Sequence, residues 1–198
     1  MRQQPKNVRK SEKNGESAKL NQDLNFSPIH YTIMPKEKII VLMGSKRDYE
    51  FASRIGDFLK KEGFPVICEY NVASAHKTPK KLLDDLQEYE KSGDNIVLIT
   101  VAGLSDALSG VVAGYTKYPV IACPPDSEKY GEAKIFSSIV TPKGIAVAYI
   151  REPENAAFAA VKILALSNPS LYEKISRYKR KMEKNIYESA DELKNLKI

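Results

Sequence analysis

Apolar residues fall into five short runs separated by amphipathic stretches. The run at 38–43 (K-I-I-V-L-M) is almost uninterrupted, as expected of a strand covered on both faces. Further runs lie at 66–72, 95–102, 118–123 and 144–150. Between them, helical spacing spans the stretch from 44–48 to about Glu62, then residues 80–89. A small-residue loop at 103–110 enters a short helix to about Gly114, and 133–139 predicts another. Residues 126–132 read as a polar loop. Residues 153–166 form an alanine-rich stretch with few charges, which predicts a helix buried on more than one face, as at a helix–helix or subunit contact. After Asn168-Pro169 comes a long charged helix, with Leu171, Ile175, Tyr178, Met182 and Ile186 at intervals of three or four. It is too polar for core and is expected to lie on the surface or reach a neighbouring subunit.

Strands alternating with helices predict an α/β fold. The expected form is a three-layer α/β/α sandwich with a doubly wound, flavodoxin-like parallel sheet and a long C-terminal helix. The catalytic domain should span 38–167, followed by a helical extension at 168–198. Residues 1–37 are polar and short of aromatics, so an extension disordered to about Asn25 is expected, with Phe26, Ile29, Tyr31, Ile33 and Met34 docking weakly.

A net charge of +6 invites a nucleic-acid reading. Residues 1–38 hold eight Lys/Arg against four Asp/Glu, and residues 171–198 hold eight against five. The body between is near neutral, which argues against a dedicated nucleic-acid face. Cys68 and Cys123 lie in strand-like runs and read as buried thiols in a reducing compartment rather than a disulfide. No cysteine–histidine cluster suggests zinc. No apolar stretch is long enough to span a bilayer and no secretory signal is apparent, so a cytoplasmic protein is expected.

Candidate chemistry sits where strands meet helices. Ser74-Ala75-His76-Lys77-Thr78-Pro79 follows the second strand, with Pro79 suited to the first helical turn. His76 and Lys77 should therefore lie in a turn beside uncommitted backbone N–H groups. A titratable base, a cation and a hydroxyl there suit an anionic substrate that exchanges a proton near neutral pH; on the hexapeptide alone a surface turn with an idle histidine is the readier reading, and the rest of the chain changes that. Gly44-Ser45-Lys46-Arg47-Asp48 opens the first helix. Ser45 and Asp48 fit an S-x-x-D capping box, and also a phosphate cradle with Asp48 on a ribose hydroxyl; spacing does not separate the two. The loop from Gly103 to Gly110 follows the third strand. Ligands of parallel α/β sheets bind at the carboxyl ends of strands, so the three loops should form one site for a phosphorylated, hydroxylated small molecule.

M-G-S-x-x-D (Met43 to Asp48) and S-A-H-K-x-P (Ser74 to Pro79) together resemble the phosphoribosylaminoimidazole carboxylase family, over about residues 39–167. The resemblance extends to class. Class I mutases carry S-A-H-R and a later loop histidine, whereas class II enzymes carry S-A-H-K and A-G-x-S-[ND]-x-L and use carbon dioxide directly. Here the loop reads Ala102-Gly103-Leu104-Ser105-Asp106-Ala107-Leu108, with Ala107 where class I has its histidine. It departs from the animal form at Leu104 (Arg there), Asp106 (Asn there) and Ser109-Gly110 (Gly-Pro there). The resemblance implies an ATP-independent lyase acting on 5-aminoimidazole ribonucleotide in purine biosynthesis. It implies His76 as proton shuttle, Ser45 and Lys77 on phosphate with Ser74 assisting, Asp48 on ribose, and Gly44 and Ala75 as further substrate-binding residues. Gly103 and Ser105 would receive carbon dioxide. No metal or other cofactor is needed by that scheme, and a homo-tetramer or homo-octamer without nucleic acid or membrane is implied. The rivals are the class I mutase and a non-catalytic nucleotide-binding module. An intact S-A-H-K-x-P argues against the latter.

Overall fold

The computed structural model describes residues 35–125 and 131–196. The expectations for residues 1–34, and for most of the polar loop at 126–132, lie outside the described residues. Strands β1 (Glu37–Met43), β2 (Ile67–Val72), β3 (Asn95–Val101), β4 (Val120–Ala122) and β5 (Ala148–Tyr149) form one sheet in the order β2-β1-β3-β4-β5. Every pairing is parallel. This is the doubly wound, flavodoxin-like order, with the chain reversing direction between β2 and β3.

The period of two in a strand explains why the runs are continuously apolar. Ile39, Val41 and Met43 of β1 and Val97, Ile99 and Val101 of β3 point to one face. There they meet α1 (Tyr49–Glu62) and α5 (Pro153–Leu164). Ile40, Leu42 and Leu98 point to the other, against α2 (Pro79–Lys91) and α3 (Ala107–Tyr115). Each fully buried Leu, Ile or Val contributes roughly 1.5–3 kcal/mol relative to exposure.

The alanines of α5 have a purpose inside the chain. Ala156, Ala157 and Ala160 are fully buried and let the helix approach α1 and the sheet closely. A subunit contact is therefore not required to explain its composition. The first turns of α6 (Ser170–Asn195) also depart from expectation: Leu171 and Ile175 are core. Tyr178 stacks edge-on against Phe58 and Phe158, with centroids 5.4 Å and 4.9 Å away. Lys181 adds an ion pair to Glu62 at the end of α1, 2.8 Å long. Only beyond this point is the helix as exposed as its charge predicts.

Two strands are shorter than their apolar runs. Pro119 has no N–H and the Tyr118 N–H donates to Thr116 Oγ1, so β4 starts at Val120. The run at 144–150 yields only Ala148 and Tyr149, because Ile145 N–H closes a turn on the Pro142 carbonyl and Thr141 Oγ1 donates to the Ile145 carbonyl. Residues 131–139 form one 3-10 segment, Gly131–Ile135, running into the short helix α4 (Phe136–Ile139). On the opposite edge Gly56 is obligatory for space. Its N–H donates to Tyr70 Oη, and a Cβ there would stand 2.4 Å from that oxygen. This contact seats α1 against β2 and so fixes the start of the loop that follows β2.

Candidate active site

The loops after β1, β2 and β3 are tied together by backbone hydrogen bonds at the strand ends. Gly44 N–H donates to the Val101 carbonyl at 2.9 Å, and Ala73 N–H to the Met43 carbonyl at 3.0 Å. The three carboxyl ends are thereby held level.

In the first loop Ser45 is extended and its Oγ accepts the Arg47 N–H. It caps a single 3-10 turn, Lys46–Asp48, and α1 begins only at Tyr49. Asp48 is thus the last residue of that turn and makes no side-chain cap to α1, rather than standing third in one continuous helix. Its carboxylate is buried and turns back into the site. A Cβ on Gly103 would lie 2.9 Å from Asp48 Oδ1, so the first and third loops meet at this contact. Burial raises the Asp48 pKa above its ordinary value, opposed by a hydrogen bond from the Ser45 backbone and by the charges of Lys134 and Arg47.

The second loop is closed by two hydroxyls. Ser74 N–H donates to Thr78 Oγ1 at 2.9 Å, Lys77 N–H to Ser74 Oγ at 3.2 Å, and Thr78 N–H to the Ser74 carbonyl at 2.9 Å. The backbone donors of Lys77 and Thr78 are therefore committed inside the turn, contrary to the expectation that they are available to an anion. Ser74 is a brace for this turn. The His76 and Lys77 side chains are exposed at its tip, and Pro79 opens α2 as its position predicts.

The third loop is anchored by Asp106, which is fully buried. Oδ1 accepts the Ser109 N–H at 3.1 Å and Oδ2 accepts Ser138 Oγ–H at 2.8 Å. Asp106 N–H donates to Ser137 Oγ, which donates to the Lys134 carbonyl. The carboxylate is a pure acceptor facing two donors, so its departure from the animal Asn has a local explanation. It caps α3 and locks the loop to α4.

These loops line one cavity of about 440 Å³. Gly44, Ser45, Asp48, Ser74, Ala75, His76, Lys77, Gly103 and Ser105 all face it. So do Leu104, which the sequence marked only as a departure from the animal form, and Arg47, Ala102 and Leu108, which it did not assign to the site. Arg47 occupies a variable position within its motif, so no pattern marked it. Leu104 and Ser105 also line an adjoining cavity with Ala133, Lys134 and Ser137. Among the described residues no group of three His, Cys, Asp or Glu side chains is placed to hold a metal. Cys68 and Cys123 are unpaired thiols away from this cavity; burial pushes Cys123 up to about 12. Among the described residues no helix is long and apolar enough to cross a membrane.

A doubly wound sheet presenting a serine, a carboxylate, a histidine and cations at its strand ends defines a small-molecule enzyme of the nucleotide-binding α/β class. The family description "AIR carboxylase" matches residues 38–185. The phosphoribosylaminoimidazole carboxylase of Archaeoglobus fulgidus is 43% identical over 157 residues, covering 79% of this chain and 85% of that protein. The N5-carboxyaminoimidazole ribonucleotide mutase of Methanocaldococcus jannaschii is 39% identical, over 80% of this chain and 98% of its own length. The crystal structure of Treponema denticola PurE superposes with a TM-score of 0.77 at 37% identity, covering 81% of this chain and all of that one. The chain belongs to the AIR carboxylase family and is an enzyme of that kind.

Proposed function

We propose that the enzyme carboxylates 5-aminoimidazole ribonucleotide with carbon dioxide, reversibly and without ATP, to give carboxyaminoimidazole ribonucleotide for purine synthesis. The observation that carries the class is Ala107. It opens α3 where a mutase would present its second histidine, and among the described residues His76 is the only histidine lining the cavity. In this reading the ring carbon beside the amino-bearing carbon attacks carbon dioxide. A carbon–carbon bond forms, and one C=O electron pair moves to oxygen as the carboxylate. His76 then takes the proton from that ring carbon, and the ring electrons return to aromaticity. In the reverse direction the protonated imidazole supplies it. Ser45, Lys77 and the Ala75 backbone hold the phosphate, and Gly44, which lines the cavity without a side chain, leaves room for it. Asp48 accepts from ribose hydroxyls, and Gly103 and Ser105 receive carbon dioxide and the new carboxylate. Ser74 supports the phosphate end by bracing the turn.

The test supplies purified enzyme with 5-aminoimidazole ribonucleotide and bicarbonate, without ATP, and separately with the freshly made N-carboxylated ribonucleotide. Carbon dioxide released by the second compound is trapped. Turnover of the first mixture should be faster. Faster direct turnover of the N-carboxylated compound would establish the mutase reading, which the similarity to the Methanocaldococcus protein keeps in view.

The same reading includes a homo-tetramer or homo-octamer. Since α5 is covered within the chain, the support moves to Val111, Tyr115, Phe136, Ile139 and Val140, large apolar residues left exposed on α3, α4 and just beyond. A monomer in light scattering at micromolar concentration would overturn this part.

A further inference from the structure

The 3-10 turn of the first loop carries two adjacent basic residues, Lys46 and Arg47. Arg47 lines the nucleotide cavity and Lys46 does not. The Arg47 backbone is fixed, since its N–H donates to Ser45 Oγ at 3.2 Å. That bond uses a lone pair of the hydroxyl and leaves the Ser45 O–H to donate. Arg54, further along on α1, commits its guanidinium to Glu152 and Glu154. The Arg47 guanidinium is exposed and, among the described residues, has no hydrogen bond or ion pair with the protein. Lys77 brings a second fixed cation to the same cavity, from the second loop. Leu104, where the animal form has arginine, brings none from the third.

The phosphate of a nucleotide carries about −1.5 to −2 charges at neutral pH and three strong acceptor oxygens. One ammonium group neutralises only part of that. The second loop has little more to offer, because the Lys77 and Thr78 N–H groups are committed within their own turn. What is still required is a second positive charge with paired donors, and a guanidinium presents both in one planar fork. We propose that Arg47 is a further substrate-binding residue, which meets the nucleotide's phosphate from the first loop beside Ser45, so that this doubly charged group is held by Arg47 and Lys77 together. This rests on the carboxylase reading of the cavity. It makes the phosphate, rather than the base, the part of the substrate on which most of the cavity's fixed positive charge acts.

The test is equilibrium binding of 5-aminoimidazole ribonucleotide to the full-length protein, by calorimetry in buffer free of carbon dioxide, where no carboxylation occurs. The phosphate is the sole anionic group of this ligand. Arg47→Ala keeps the backbone N–H that caps Ser45 and removes the guanidinium. It should weaken binding by about tenfold, as for loss of a hydrogen bond to a charged group. Arg47→Lys keeps the charge without the fork and should recover about a third of the lost affinity or more. Lys46→Ala removes the same charge one residue away and should change binding by less than about twofold. Raising salt from about 0.05 to 0.5 M should weaken the parent protein's binding several fold, and Arg47→Ala distinctly less. The Asp48 carboxylate also feels the Arg47 charge, so the comparison is repeated with Asp48→Asn in both proteins, where the tenfold loss should persist. Unchanged binding in Arg47→Ala would overturn the proposal. So would an equal loss in Lys46→Ala, which would mean a diffuse field, or a loss with the parent's full salt dependence, which would mean a contact to an uncharged part of the ligand. Disappearance of the loss beside Asp48→Asn would make Arg47 a positioning residue for that carboxylate and overturn it as well. Failure of the parent protein to bind the nucleotide at all would instead overturn the carboxylase reading itself.

Discussion

Replacing His76 by asparagine should lower kcat by roughly 10²–10⁴-fold, the usual cost of losing a positioned general acid–base group. Nucleotide binding should stay within a few fold. Asparagine is similar in size and keeps a donor and an acceptor, but an amide does not take up a proton at neutral pH. The side chain stands at the tip of the second loop, exposed, while the fold of that loop depends on Ser74 and Thr78. The substitution therefore leaves the loop's hydrogen bonds in place and removes one function. Among the described residues no other histidine lines the cavity. Asp48, the buried carboxylate across it, already has a proposed partner in ribose. Single-turnover formation of the carboxylated nucleotide, read beside a binding isotherm, separates the two effects. Near-normal kcat in His76→Asn would remove the histidine from the chemistry even if the family reaction were confirmed.

Most of this fold was legible because its signals are local. A strand buried on both faces cannot hide its composition, and β1 and β3 appear within a residue or two of their apolar runs. The strand-end loops were legible for a related reason: their residues are tied to a strand on one side and a helix start on the other. What was not legible depends on contacts distant in sequence. The alanines of α5 left a helix–helix and a subunit contact both open, because nothing local shows that α1 and the sheet cover them. Tyr178 read as surface because its partners, Phe58, Phe64 and Phe158, come from three other segments. The availability of the Lys77 N–H depended on where the Ser74 hydroxyl turned. The cavity that adjoins the site at Leu104 and Ser105 is lined in part by Ala133 and Ser137, from a segment that follows β4 and carries no phosphate or base signature, so only the folded chain reveals it.

Gly103→Ala should cost about 10- to 100-fold in kcat/KM, the scale expected when a reacting group is misplaced by about an ångström. The reason is space, not backbone conformation. A methyl group at 103 would lie 2.9 Å from Asp48 Oδ1 and 3.7 Å from Pro125 Cγ. The first distance is too short, so one side must move. The third loop resists lifting, because Asp106 pins it through Ser109, Ser137 and Ser138. Asp48 is a short, buried side chain facing the Ser45 backbone, and rotating it sacrifices that hydrogen bond. The strain should lower unfolding stability by about 1–3 kcal/mol, as for other overpacked interiors, which urea denaturation will read. The kinetic pattern tells which side yields. If Asp48 swings away, ribose binding suffers in ground and transition state alike and KM rises. If the loop lifts, the carbon dioxide pocket is spoiled and kcat falls. A double variant with Asp48→Ala decides between them, since a methyl group acting only through Asp48 adds little once that carboxylate is gone. Full activity in Gly103→Ala would show that the contact between the first and third loops is not part of the working site.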